Sequence, residues 1–304
     1  MKEPFRHFLR FNEEKVNQTT PLDHCGHSFV IIETNPMNSA DRKFFYSGRK
    51  SAITEHAAAL IIAEAYRAVE DHGQFSLVLA GGNSPRLLYE KLAQGVPTTL
   101  FEHFALAVPG NNTEDRQSIN RLPPNTWLFQ GDERCVPFDH PDSNYRMVKD
   151  TLLRHSGIAD DHLFRMAAEK DDSEGAARGY EATIRTFFST EGSLSPQGYP
   201  LFDLILLGLG DDGHTASLFA ENREALQEQK RWVVAVNAPQ AKPPGMRLTL
   251  TLPVINHARN VLFFTTGNEK CKLAKKIFLE KERSVPASLV KPESGKEYWF
   301  AAQP

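Results

Sequence analysis

Apolar residues along this chain change their spacing at regular intervals. From Ser51 to Gly73 the segment SAITEHAAALIIAEAYRAVEDHG places Ile53, Ala57, Leu60, Ile61, Ala65 and Val69 at helical spacing. Ser51 suits an N-cap and Gly73 a left-handed C-terminal cap, so the pattern predicts a helix with one apolar face against a sheet. KFFY, beginning at Lys43, predicts a strand just before it. FSLVLA (75–80) is apolar at successive positions, as in a parallel strand buried on both faces. It runs into GGNSP, and the helical PRLLYEKLAQ then ends before Gly95.

The same arrangement recurs. WLFQ (127–130) enters GDERCVPFDHPDSNYRM, and FDLILL (202–207) enters GLGDDGHTASLF, with helical segments near 143–155 and 173–188. VVAV (233–236), RLTLTL (247–252) and NVLFFT (260–265) read as further strands, and NEKCKLAKKIFLE as a late helix. Strands alternating with helices predict an α/β fold, a three-layer α/β/α sandwich around a mostly parallel, Rossmann-like sheet. Ligands of such sheets bind outside the carboxyl ends of the strands. GGNSP, GDER and GDDGH are therefore expected to open on one edge. Residues 1–42 read as a polar, irregular extension apart from FVII (29–32), a possible short strand; residues 43–304 read as one domain. The insertion from Thr98 to Asn125 has loop composition.

Composition narrows the partners. Hydrophobic residues make up 40% and charged residues 24%, enough for a substantial core. Thirty-five basic against 38 acidic residues give a net charge of −3, so no overall field draws the chain to nucleic acid or to an anionic membrane. No apolar run approaches the roughly 20 residues that span a bilayer, and MKEPFRHFLRFNEEK lacks a signal-peptide core. A cytoplasmic location is expected, with a monomer favoured. Cys25, Cys135 and Cys271 are odd in number and far apart, as ordinary thiols are. Scattered histidines without HExxH predict no metal, and no GxSxG elbow is present.

Each loop has two readings on its residues alone. Gly81 and Gly82 allow close backbone approach, Asn83 and Ser84 offer donors, and Pro85 suits the first position of a helix whose free N–H groups face a phosphate; the same letters describe a tight turn. Arg134 in GDER can grip phosphate bidentately or pair with its own neighbouring carboxylates. Asp142, Ser143 and Asn144 are expected to cap the next helix rather than touch a ligand. Arg247 is either a second phosphate clamp or a sheet-edge arginine.

Gly208, Gly210 and Gly213 fit the dinucleotide pattern GxGxxG, but Asp211 and Asp212 stand where pyrophosphate would sit. The strand about 20 residues on also ends in Asn237 instead of an acid. His214 follows this turn with carboxylates just before it. It reads as a base oriented by a neighbouring carboxylate, or as the cap of an HTASLF helix.

Taken in order, LVLAGGNSPRLLYEKLA, LFQGDERCVPFDHPDSNYRM, FDLILLGLGDDGHTASLF, RLTLTLPVINHARNVLFFTTG and VPASLV resemble the 6-phosphogluconolactonase family over residues 43–301. The resemblance implies a sugar-phosphate isomerase-like fold and hydrolysis of 6-phosphogluconolactone in the oxidative pentose phosphate pathway, without a redox cofactor. It implies His214 as general base with Asp212 matching the family's aspartate before Gly-His. It further implies that Arg134 and Arg247 lie near the phosphate and that Gly81, Gly82, Asn83 and Ser84 fall in its loop. Asn83 and Ser84 depart from the usual Ser-Thr, Arg86 from a common lysine, and Asp211 from a frequent proline. Two other readings share the pocket: an aminosugar-phosphate deaminase or isomerase, disfavoured because residues 214–219 (HTASLF) contain no acid, and a non-catalytic sugar-phosphate sensor, for which His214 would be unnecessary.

Overall fold

The computed structural model describes residues 7–11, 14–19, 30–34, 42–111 and 117–303. The strands are β1 (His7–Phe11), β2 (Glu14–Thr19), β3 (Val30–Thr34), β4 (Lys43–Arg49), β5 (Phe75–Leu79), β6 (Val96–Pro97), β7 (Ile119–Asn120), β8 (Thr126–Gln130), β9 (Asp132–Arg134), β10 (Leu163–Phe164), β11 (Leu204–Leu207), β12 (Val233–Ala238), β13 (Gly245–Leu250), β14 (Asn260–Thr266) and β15 (Lys296–Gln303). Ten of them form one sheet in the order β1-β2-β3-β4-β15-β14-β11-β5-β8-β10. From β4 to β10 every neighbouring pair runs parallel. The pairs β1–β2, β2–β3 and β3–β4 are antiparallel.

The parallel strands are buried on both faces because alternate residues feed two cores. Leu77, Leu79, Leu204, Leu206, Leu262 and Phe264 pack with the helices Lys50–His72 and Asn83–Gln94. Val78, Ile205, Leu207, Val261 and Phe263 pack on the other face with the helices Ser173–Thr190 and Asn268–Phe278. This is the period-2 alternation of a strand with an apolar layer on each side, and it yields the expected three-layer sandwich.

Several local expectations change. The first long helix begins at Lys50 with Arg49 at the N-cap position, so Ser51 lies inside its first turn; Gly73 ends it at φ 88°, its N–H reaching the Val69 carbonyl at 2.8 Å. Ser143 does cap the helix Asn144–Val148, its hydroxyl accepting from the Arg146 N–H at 3.2 Å. The strand expected at FVII is found as β3, while the irregular reading of the rest of residues 1–42 gives way to β1 and β2; the three extend the sheet beyond β4, and Cys25 and Phe29 lie outside the described residues. The insertion after Thr98 holds the short helix Thr98–His103 and β7, which pairs with β6 just before the insertion. VVAV and RLTLTL leave the parallel sheet: β12, β13 and β9 make a separate antiparallel sheet, with GDER forming its edge strand rather than a loop. YWFAAQ, which the apolar reading passed over, is β15 and separates β4 from β14.

At the amino end of the sheet one buried aspartate, through its carboxylate and its carbonyl, joins three strands. Buried Asp203 accepts from the Ser76 N–H at 2.8 Å and from the Ser76 hydroxyl at 2.7 Å, and its carbonyl accepts from Asn260 Nδ2 at 2.9 Å. This ties the starts of β5, β11 and β14 together. Asp203→Ala is expected to lower stability by about 1.5–3 kcal/mol, since it removes charge-assisted hydrogen bonds and strands buried donors. A lower urea midpoint at unchanged m-value would show this; an unchanged midpoint would refute it.

Candidate active site

The three loops meet at the carboxyl edge in a cleft of about 390 Å³. All eight residues singled out from the sequence line it: Gly81, Gly82, Asn83, Ser84, Arg134, Asp212, His214 and Arg247. The helix Asn83–Gln94 starts directly from Gly82, whose φ of 89° requires a residue without Cβ. Pro85 is therefore the third helical residue rather than the first; its missing N–H still falls among first-turn groups that have no intrahelical acceptor. The Ser84 hydroxyl lies 3.0 Å from that of Thr266 at the end of β14. Gly81 serves a close approach within the protein, because a Cβ there would stand 2.2 Å from the Asn144 side chain.

Neither acid of GDER forms an ion pair with Arg134 among the described residues. Glu133 accepts from the backbone N–H groups of Arg134, Asn144 and Tyr145 at 2.7, 2.8 and 2.7 Å, from Gln130 Nε2 at 2.8 Å and from the Ser143 hydroxyl at 3.2 Å. Burial pushes its pKa up while these bonds hold it down. Asp132 accepts from the Ser217 hydroxyl at 2.7 Å.

Arg134 is left with the Asp142 carbonyl at 2.5 Å and makes no ion pair among the described residues. Directly opposite it in the β9–β13 register is Arg247, 5% exposed and hydrogen-bonded to the Pro243 carbonyl at 2.6 Å. Arg247 is no sheet-edge arginine, since β13 is the central strand of its sheet. The Nε atoms of both arginines are buried without an acceptor among the described residues. Burial pulls the Arg247 pKa below its ordinary value; Asp132 opposes this and Arg134 adds to it. Like charges placed opposite each other on adjacent strands destabilise a sheet. An anion between the guanidiniums removes that cost and supplies the missing acceptors.

At the other loop, the His214 Nδ1 lies 2.5 Å from Asp212 Oδ1, and the His214 N–H donates to the same oxygen at 3.2 Å. A carboxylate can only accept, so Nδ1 carries the proton and Nε2 has the free lone pair. That hydrogen bond holds the Asp212 pKa down to about 2, burial opposing. The imidazole packs against Phe219 at 4.4 Å between ring centroids. It also lies over Gly210, where a Cβ would stand 2.1 Å from Nδ1. The glycines of this turn thus make room for the histidine and, at Gly213, for Val285. HTASLF forms turns closed by a Thr215–Leu218 bridge, so the alternative of His214 as a helix cap falls.

Sequence reasoning missed several lining or supporting residues. Lys242 and Lys270 line the cleft but lie in polar stretches with no motif around them. Asn144 was read as a cap alone, yet its Nδ2 donates to the Asp132 carbonyl at 2.9 Å while the side chain covers Gly81. Ser217 carried no signal, its contact with Asp132 spanning 85 positions.

At one edge of the α/β sheet the cleft thus brings together a facing pair of arginines and a carboxylate-tethered histidine. Residues 48–299 match the family model described as glucosamine-6-phosphate isomerases/6-phosphogluconolactonase. The chain is 35% identical over 256 residues to the 6-phosphogluconolactonase of Synechocystis, covering 84% of this chain and 92% of that protein. Identity to the 6-phosphogluconolactonase of Bos taurus is 35% over 245 residues, covering 80% and 84% of the two chains. The solved 6-phosphogluconolactonase of Trypanosoma cruzi superposes with a TM-score of 0.65 at 30% identity, over 84% of this chain and 93% of that one. The chain belongs to the glucosamine-6-phosphate isomerase/6-phosphogluconolactonase family. No helix among the described residues is long and apolar enough to cross a membrane.

Because its pKa is depressed, Asp212 holds its partner across the neutral and mildly acid range; its contribution fades as pH falls from the ordinary value of 3.8 through about 2. A carboxyl-carbon NMR titration of Asp212 is expected to show a midpoint near 2 that climbs towards 3.8 in His214→Ala. An equal midpoint in both proteins would exclude the contact as its cause.

Proposed function

We propose that this chain is a 6-phosphogluconolactonase that hydrolyses 6-phosphogluconolactone to 6-phosphogluconate, the step this reaction occupies in the oxidative pentose phosphate pathway. Residues 43–304 form the catalytic unit, and residues 1–42 an extension to it. The observation that carries the reading is the presence in one cleft of two separate chemistries, an unsatisfied arginine pair and a histidine whose free nitrogen is set by Asp212. The lactone of a sugar phosphate presents a dianion at one end and an electrophilic carbonyl at the other. The names of the relatives support the same substrate.

In this mechanism His214 Nε2 takes a proton from water, and the hydroxide adds to the lactone carbonyl carbon. The carbonyl π pair moves to oxygen. Collapse of that tetrahedral intermediate breaks the bond to the ring oxygen, which leaves with the proton from the imidazolium. Asp212 stabilises the imidazolium between the two transfers. Arg134 and Arg247, with the first turn of the helix Asn83–Gln94, hold the phosphate and convert its binding energy into orientation of the carbonyl. Gly81, Gly82, Asn83 and Ser84 shape that first turn. HTASLF supplies no carboxylate for the proton shuttling of an aminosugar-phosphate isomerase.

His214→Ala is expected to lower kcat by about 10² to 10⁴-fold with a smaller change in KM. Lactone loss would be followed against its spontaneous hydrolysis; near-normal turnover in the folded variant would sink the assignment. Arg134→Ala is expected chiefly to raise KM. An unchanged KM would remove Arg134 from the phosphate site.

A further inference from the structure

His214 can act as a base only while its ring keeps one orientation, and its own torsion does little to keep it, because rotation about the Cβ–Cγ bond of histidine is broad and roughly two-fold. Two contacts restrain the ring. One is the Nδ1 hydrogen bond to Asp212, whose side chain is 60% exposed and lies two residues away on the same turn. The other is Phe219, 2% exposed, with its ring centroid 4.4 Å from that of the imidazole and its plane tilted by 36°. Of the two partners only Phe219 is fixed by close packing.

The segment that carries Phe219 is anchored to the sheet of β12, β13 and β9. Ser217 donates its hydroxyl to Asp132 on β9 at 2.7 Å and its N–H to the Thr249 hydroxyl on β13 at 3.2 Å. The Leu218 N–H closes the turn on the Thr215 carbonyl at 2.9 Å, and the Phe219 carbonyl accepts from the Asn222 N–H at 3.0 Å. The Phe219 ring also lies 5.9 Å from the guanidinium carbon of Arg247 on β13, at the outer reach of a cation–π contact. One buried ring thus borders both the base and an arginine of the facing pair.

We infer that Phe219 is a positioning residue for the reaction: its ring holds the His214 imidazole at a set place relative to the sheet that carries Arg134 and Arg247, so that Nε2 keeps its aim on the water that attacks the lactone carbonyl. The inference rests on the lactonase reading. Phe219 exchanges no proton and no electrons. Its contribution is geometric, since displacing a reacting group by about 1 Å can cost roughly 10²-fold in rate. Its π face also favours the imidazolium that forms between the two proton transfers. Asp212 then selects which ring nitrogen carries the proton, and Phe219 sets where the ring stands.

The test measures kcat and KM on 6-phosphogluconolactone for the full chain and for Phe219→Leu, Phe219→Met and Phe219→Tyr, together with the NMR titration of the Asp212 carboxyl carbon in ligand-free protein. Thermal midpoints would establish that each variant is folded, and two apolar replacements keep the test decisive if one of them does not fold. Without the ring, kcat is expected to fall by about 10- to 100-fold while KM stays nearly constant. The Asp212 midpoint is expected to climb from near 2 towards its ordinary value of 3.8 as the imidazole swings off the carboxylate. Phe219→Tyr, which keeps the ring, is expected to retain most of kcat and the low midpoint. Unaltered kcat in the folded ringless variants overturns the inference, as does an Asp212 midpoint that stays near 2 in them. A loss carried by KM instead of kcat would make Phe219 a substrate contact and overturn it as well. Wild-type protein that hydrolyses no lactone would overturn the lactonase reading, whereas the Asp212 midpoint, read without substrate, still decides whether Phe219 holds the imidazole.

Discussion

Leu204 pairs with Leu77 and Ile205 with Val78, which holds β5 and β11 parallel in the middle of a sheet where every residue of both strands is buried. A slip of one residue would exchange the two faces and drive each side chain into the wrong core. Asp203 reinforces the register at the amino end through its bonds to Ser76. Because that register is firm and the strands are parallel, their carboxyl ends open together, one into GGNSP and one into the histidine turn. Much of the cleft geometry follows from this alignment.

The cleft in turn is built from charges that the fold keeps apart. Glu133 spends its oxygens on the helix beginning at Asn144, and Asp132 accepts from Ser217, so neither neutralises the arginine beside it. The β9–β13 register sets Arg134 against Arg247 and leaves two buried guanidinium nitrogens without acceptors. At the other end, Gly210 lies so close under the imidazole that no side chain fits, and Asp212 settles which ring nitrogen holds the proton. One half of the site thus holds guanidinium nitrogens without acceptors among the described residues, and the other a histidine tethered by a carboxylate.

The parallel sheet was legible because Leu77–Ala80 and Leu204–Leu207 are apolar without interruption and each is followed by glycine. The site loops were legible because the edge rule for α/β sheets directs attention to those junctions. β15 was not: KEYWFAAQ mixes charged, aromatic and small residues, and only its place between β4 and β14 makes it a central strand. The separate sheet of β12, β13 and β9 was equally hidden, since strand propensity does not say which sheet a strand joins. Local chemistry was misjudged where a distant residue decided it, as when Asn144 closes over Gly81.

From its amino acids alone this protein had its α/β class, its three edge loops and its list of candidate residues, because hydrophobic periodicity and glycine placement act over short stretches of chain. Only the tertiary structure decided that Arg134 faces Arg247, that the neighbouring acids are occupied elsewhere, and that Lys270 lines the same cleft beside Asp211. Those facts depend on strand register and on side-chain competition between residues far apart in sequence, and no local pattern encodes them.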